Sequence, residues 1–157
     1  MKHRGNKFEY EDDRNRELMR VYREQLALCS QVVPYEIYCR VVDQPSSRFW
    51  VSEWRCAIVL SRMFNGDDLS NMIPNKREMY QEIFNRAKKM RQQDPTASYF
   101  MMAFTIIHQP APKFYLTAES ACVIITRCKR DILRQDFQSI RKHACHRPKD
   151  IEPHLAQ

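Results

Sequence analysis

Glycine is nearly missing from this chain, with only Gly5 and Gly66 among 157 residues. That scarcity excludes glycine-rich phosphate-cradling loops and argues against a turn-rich all-β fold. No apolar run approaches the ~20 residues needed to span a bilayer, and Met1 to Arg16 carries charge throughout, with no signal-like apolar stretch. The six cysteines are Cys29, Cys39, Cys56, Cys122, Cys128 and Cys145, and none forms a Cys-x-x-Cys pair. Their even number admits a disulfide framework, but without a signal stretch the expectation is a cytoplasmic protein with reduced thiols. Four of them sit in apolar helical patterns, where a free thiol serves as a small hydrophobe. Nothing resembles a P-loop, a nucleophile triad or a carboxylate pair in a defined setting, so the sequence reads as a non-enzyme. His143-Ala-Cys145-His146, with His154 beyond, has metal-ligating residue types. Its spacing fits no zinc module, so no metal or cofactor is expected.

What the chain does contain favours helix. Arg, Glu, Gln, Met and Leu are plentiful, and the apolar fraction of 43% suits a packed core. The net charge of +7 favours acidic partners: nucleic acid, an anionic membrane surface or an acidic protein. This charge is spread along the chain and does not gather in one tail.

A repeat organises the sequence. QPSSRFWVSEWRCAIVLSR (Gln44 to Arg62) and QPAPKFYLTAESACVIITR (Gln109 to Arg127) align without a gap at an offset of 65. Gln44, Pro45, Phe49 and Arg62 meet identical residues, while Arg48 faces Lys113, Trp50 faces Tyr115 and Ser52 faces Thr117. Such a repeat suggests one supersecondary unit used twice. The expected fold is all-α: two pseudo-symmetric three-helix, helix-turn-helix-like units sharing one core. The first unit spans 14–66 and the second 75–145, joined by a linker at 67–74, with flexible tails at 1–13 and 146–157.

Local signals place the helices. In unit one they run from Arg14 to Ser30, from Pro34 at a first helical position to Asp43, and from Glu53 to Phe64. Ser52 caps the third helix and Asn65-Gly66 stops it. In unit two, Asn75 to Glu78 reads as a capping box and Asp94-Pro95 as the start of helix five. Thr117 caps a sixth helix running to about Lys142.

Two readings compete for the repeated motif. A helix after a turn resembles the DNA-reading helix of a helix-turn-helix, with Arg55 and Arg62 on one face. Cys56-Ala-Ile-Val-Leu60 is apolar on every side, however, which suits a buried spine. In the Arg-Phe-Trp and Lys-Phe-Tyr steps, the phenylalanines suit core plugs, and the flanking cation and aromatic suit stacking on a base with the cation on phosphate. The basic faces of the first, fourth and sixth helices read mainly as solvated surface, with phosphate binding by part of them as the alternative.

The string Pro45 to Glu53, with its partner Gln109 to Thr117, resembles strings in small basic helical proteins of gut bacteria and their phages or mobile elements. The likeness covers roughly residues 14–134. It transfers no catalytic or binding residue and implies only a setting in which such proteins bind DNA or interfere with host proteins. The expectation is therefore a non-catalytic protein binding nucleic acid, double-stranded DNA first. Its contacts would be Arg48, Trp50, Arg55, Arg62, Lys113, Tyr115, Ser120 and Arg127, and no membrane partner is expected. The alternative is a protein-interaction module, such as a phage accessory or assembly factor or an inhibitor of a host protein. It would present Trp50, Tyr115, Met72, Met101 and Met102 as an apolar patch.

Overall fold

Six helices follow from this punctuation in the computed structural model, which describes residues 8–144. They are α1 (Glu11–Ala27), α2 (Pro34–Val42), α3 (Glu53–Phe64), α4 (Pro74–Gln93), α5 (Tyr99–Ile107) and α6 (Ala118–Ala144). The protein is all-α, and its described residues contain no strand.

The caps on the two third helices behave as their chemistry dictates. The Ser52 hydroxyl accepts the Arg55 N–H at 3.2 Å, and the Thr117 hydroxyl accepts the Ser120 N–H at 3.1 Å. Gly66 ends α3 at φ +97°, with its N–H donating to the Met63 carbonyl at 3.0 Å. A Cβ at Gly66 would meet nothing within 4 Å, so only the backbone conformation resists a side chain there. Gly66→Ala should therefore cost about 1–2 kcal/mol, read as a lower urea midpoint at unchanged slope. An unchanged midpoint would mean that the helix end relaxes to another turn.

Three local expectations are corrected. The stretch 8–13 is not a loose tail: α1 begins at Glu11, and the Tyr10 ring lies 6.3 Å from that of Trp50. Asn75 does not open a capping box, because α4 starts one residue earlier at Pro74 and Ile73 supplies no side-chain cap. Asp94 closes α4 and does not open α5. Its carboxylate accepts the Thr96 N–H and hydroxyl, and Ser98 caps α5 by accepting the Met101 N–H at 3.1 Å. Asp94 bonds locally two residues on, which is the usual competitor to an N-cap role.

The helices pack crosswise between the two sequence repeats. α3 lies against α4 and α5, and α6 lies against α1 and α2, whereas α3 has no helix contact with α1 or α2 among the described residues. Each repeat thus lends its third helix to the first two helices of the other. The hinges that carry the chain across are bonded reciprocally. Ser46 and Ala111 exchange N–H···O bonds of 3.0 and 2.9 Å, and these residues are 65 apart. Phe49 N–H donates to the Ile107 carbonyl at 2.9 Å, and Phe114 N–H to the Val42 carbonyl at 3.1 Å, which again pairs equivalent positions.

This crossing divides the interior in two, in place of the single shared core expected. One cluster joins α3, α4 and α5 around Phe49, Leu60, Ile83 and Ile106, and the other joins α1, α2 and α6 around Leu18, Val41, Phe114 and Ile125. Each hinge phenylalanine does plug a core, but it is the core built from the other repeat's first two helices. Ala57, Ala87 and Ala103 are buried in the first cluster, where small side chains let helix backbones approach closely.

Burial sets an alkaline limit on this core. It pushes the Cys56 thiol and the Tyr80 and Tyr115 phenols up to about 12, from ordinary values of 9.0 and 10.0. The folded protein keeps these protons where the unfolded chain releases them. Stability is accordingly full below about pH 9 and drains away between there and about pH 12. The urea midpoint should fall between about pH 8 and pH 10.5, and a constant midpoint would contradict it.

Candidate functional site

The reciprocal hinges hold four of the eight residues singled out by sequence, Tyr115 buried and Arg48, Trp50 and Lys113 half-buried. The Arg48 guanidinium donates to the Phe49 and Val51 carbonyls at 3.2 and 3.1 Å and lies 5.3 Å from the Trp50 ring centroid. The Trp50 indole N–H donates to the Ser46 hydroxyl at 2.7 Å, so its polar edge is already satisfied. Lys113 pairs with Glu78 at 2.7 Å. Tyr115 is buried, takes φ +56° and stacks on Phe49 at 6.0 Å. Its counterpart Trp50 has no such left-handed turn, so the two hinges are not interchangeable.

The remaining four candidates lie on α3 and α6. Arg62 is held by Asp67 through two bonds of 2.9 and 2.6 Å. The Asp67 carboxyl drops below its usual range because the Leu69 N–H, and then Arg62, favour its charge. Arg55 is exposed but reaches the Tyr80 hydroxyl. Ser120 is exposed, and its hydroxyl accepts from Thr117 at 2.9 Å. Arg127 is exposed and makes no ion pair among the described residues. The eight residues therefore do not form one surface. Arg48, Trp50, Lys113 and Tyr115 spend their charges and rings on the fold itself.

The apolar patch expected for a protein-interaction module is also not assembled. Met102 and Tyr115 are buried and Met72 is partly covered, which leaves Met101 exposed. A different apolar surface exists instead. Trp54 and Ile58 project from α3, and Phe100 and Phe104 from α5, on helices tied together by a 3.2 Å contact between His108 Nε2 and Glu53.

The far half of α6, whose cations the sequence read mainly as a solvated face, stands apart from these candidates. From Lys129 to Ala144 every residue is exposed, a rod about 24 Å long at ~1.5 Å per residue. Arg127, Arg130, Arg134 and Arg141 fall within about 60° of one another on it, at about 100° per residue. None of the four is in an ion pair among the described residues, although Arg14, Arg16, Arg20, Arg62 and Arg86 on the body all are. The signal was present in the repeat: where unit one stops at Asn65-Gly66, unit two has Arg130-Asp131 and runs on.

Among the described residues no three His, Cys, Asp or Glu gather as metal ligands. Cys145, His146 and His154 of the candidate cluster lie outside those residues. The five described cysteines are free thiols. No described helix is long and apolar enough to cross a membrane. A surface depression of about 710 Å³, lined by Arg77, Glu78, Glu82 and Tyr115, is open to solvent. Neither a family model nor a curated protein nor a solved structure matches the chain.

Proposed function

We propose that this is a non-catalytic nucleic-acid-binding protein that holds duplex DNA with the arginine face of α6 and not with its hinges. The observation that carries this reading is the row Arg127, Arg130, Arg134 and Arg141, free of ion pairs on an exposed helix. Guanidinium forks match phosphate oxygens, and a helix of this width enters a major groove. Counterion release makes such binding salt-dependent. Fluorescence anisotropy with a 20-bp duplex should give a log K against log salt slope of about −3 to −4 for four phosphate contacts. A slope near zero between about 50 and 200 mM salt would overturn the reading. A single-stranded probe bound more tightly than the duplex would move the contacts off the helix face and onto aromatic stacking.

A second reading, a protein-interaction module, is favoured by the α3–α5 surface. Trp54 stands 70% exposed there, one helical turn from the exposed Ile58. Large exposed aromatics of this kind serve as anchors at protein interfaces.

A further inference from the structure

The same exposed half of α6 has a second face that nucleic acid does not explain. Ile132, Leu133, Phe137 and Ile140 are 40%, 56%, 65% and 64% exposed. They form a stripe at i, i+1, i+5 and i+8 whose Phe137 edge borders Arg130 and Arg141 of the arginine row. A polar helix of this length is marginal alone, and an apolar stripe on it requires cover. The stripe runs into a cavity of about 440 Å³ between α1 and α6, lined by Met19, Tyr22, Leu26, Lys129, Ile132 and Leu133.

The undescribed ends of this sequence have little to cover it with. Residues 1–7 contain one large apolar side chain, Met1, and residues 145–157 contain two, Ile151 and Leu155. A second copy fits better, because the stripe is complementary to itself. Lys129 lies three residues before Ile132, and Asp136 lies three residues after Leu133. An antiparallel pairing centred between Ile132 and Leu133 sets each Lys129 opposite Asp136 of the other copy. It also carries Phe137 and Ile140 of each copy towards the other's α1–α6 cavity, so that knob and pocket exchange as an isologous interface requires. Lys129 donates to the Tyr22 hydroxyl at 2.7 Å and keeps two further N–H donors for a carboxylate.

We propose that the protein is a homodimer in which α6 pairs antiparallel with α6 of a second copy, seating Phe137 in the cavity between α1 and α6. This goes beyond the nucleic-acid reading and stands without it, since it rests on the apolar stripe and the Lys129–Asp136 pairing and on none of the arginines.

The test is sedimentation equilibrium of the full chain without nucleic acid, at about 1 to 100 µM. A mass of two chains is expected in the upper part of this range. Phe137→Asp should give a monomer that keeps its thermal transition, since Phe137 lies outside both cores. Asp136→Lys should weaken association by about tenfold, and Lys129→Asp added to it should restore it. A monomer at 100 µM overturns the proposal, as does a dimer indifferent to Phe137→Asp. Failure of the double charge reversal to restore pairing overturns the antiparallel register. A monomer that co-sediments with phosphatidylserine vesicles would assign the stripe to a lipid surface and also overturn the dimer.

Discussion

Phe49→Ala should destabilise the protein by about 3–5 kcal/mol, the range for truncating a large buried ring. Phe49 is 1% exposed, stacks on Tyr115 and has the Arg86 guanidinium 4.9 Å from its ring centroid. The truncation therefore leaves a void and removes a cation–π partner together. Against a usual stability of about 5–15 kcal/mol this is a large fraction. Where the damage falls is more informative than its size. Phe49 belongs to the first repeat by sequence but packs with α3, α4 and α5. Hydrogen exchange should accelerate in those helices and spare α1, α2 and α6. Phe114→Ala should do the converse, because Phe114 packs with Leu18, Val41 and Ile125. If each substitution instead loosened the helices of its own repeat, the crosswise packing would be wrong.

Much of the architecture was legible from local chemistry. Ser52 and Thr117 announced two helix starts because a hydroxyl before a helix satisfies an otherwise orphaned N–H. The run Cys56 to Leu60, apolar on every side, announced a buried spine; Cys56, Ala57, Val59 and Leu60 are buried, and Ile58 departs from it by facing outward. The partner of that helix was not legible. An apolar face meets the same energetic need against α1 as against α4, so periodicity cannot tell a helix kept in its repeat from one exchanged between repeats. That choice is made at the hinge, where Ser46 and Ala111 bond to each other across 65 residues of sequence. That some candidate contacts are engaged within the fold was hidden for a similar reason. Lys113 and Glu78 lie far apart in sequence, so their ion pair is a product of the fold. Arg62 and Asp67 are only five residues apart, and the Gly66 turn between them gave a readable hint that this cation would be neutralised.

Replacing Arg130, Arg134 and Arg141 together by alanine should weaken duplex binding roughly a thousandfold, at roughly 1.5 kcal/mol for each charge-assisted contact. The salt slope should fall to about −1, leaving Arg127 as the one contact of the row. Loss of helix would not be the cause, since alanine is the better helix former and none of the three side chains makes a bond within the described fold. Circular dichroism should show α6 intact. The informative controls are Arg62→Ala and Lys113→Ala. Both remove a cation from the repeated motif, but Asp67 and Glu78 already neutralise those cations, so binding should change by less than about threefold. A triple variant that binds like the native chain, or controls that cost more than it does, would return the nucleic-acid surface to the hinges. With the expected ranking, the working surface is the length of helix that one repeat has and the other lacks. Both third helices build cores, and α6 alone continues past its core into solvent, with Arg130, Arg134 and Arg141 in no ion pair among the described residues.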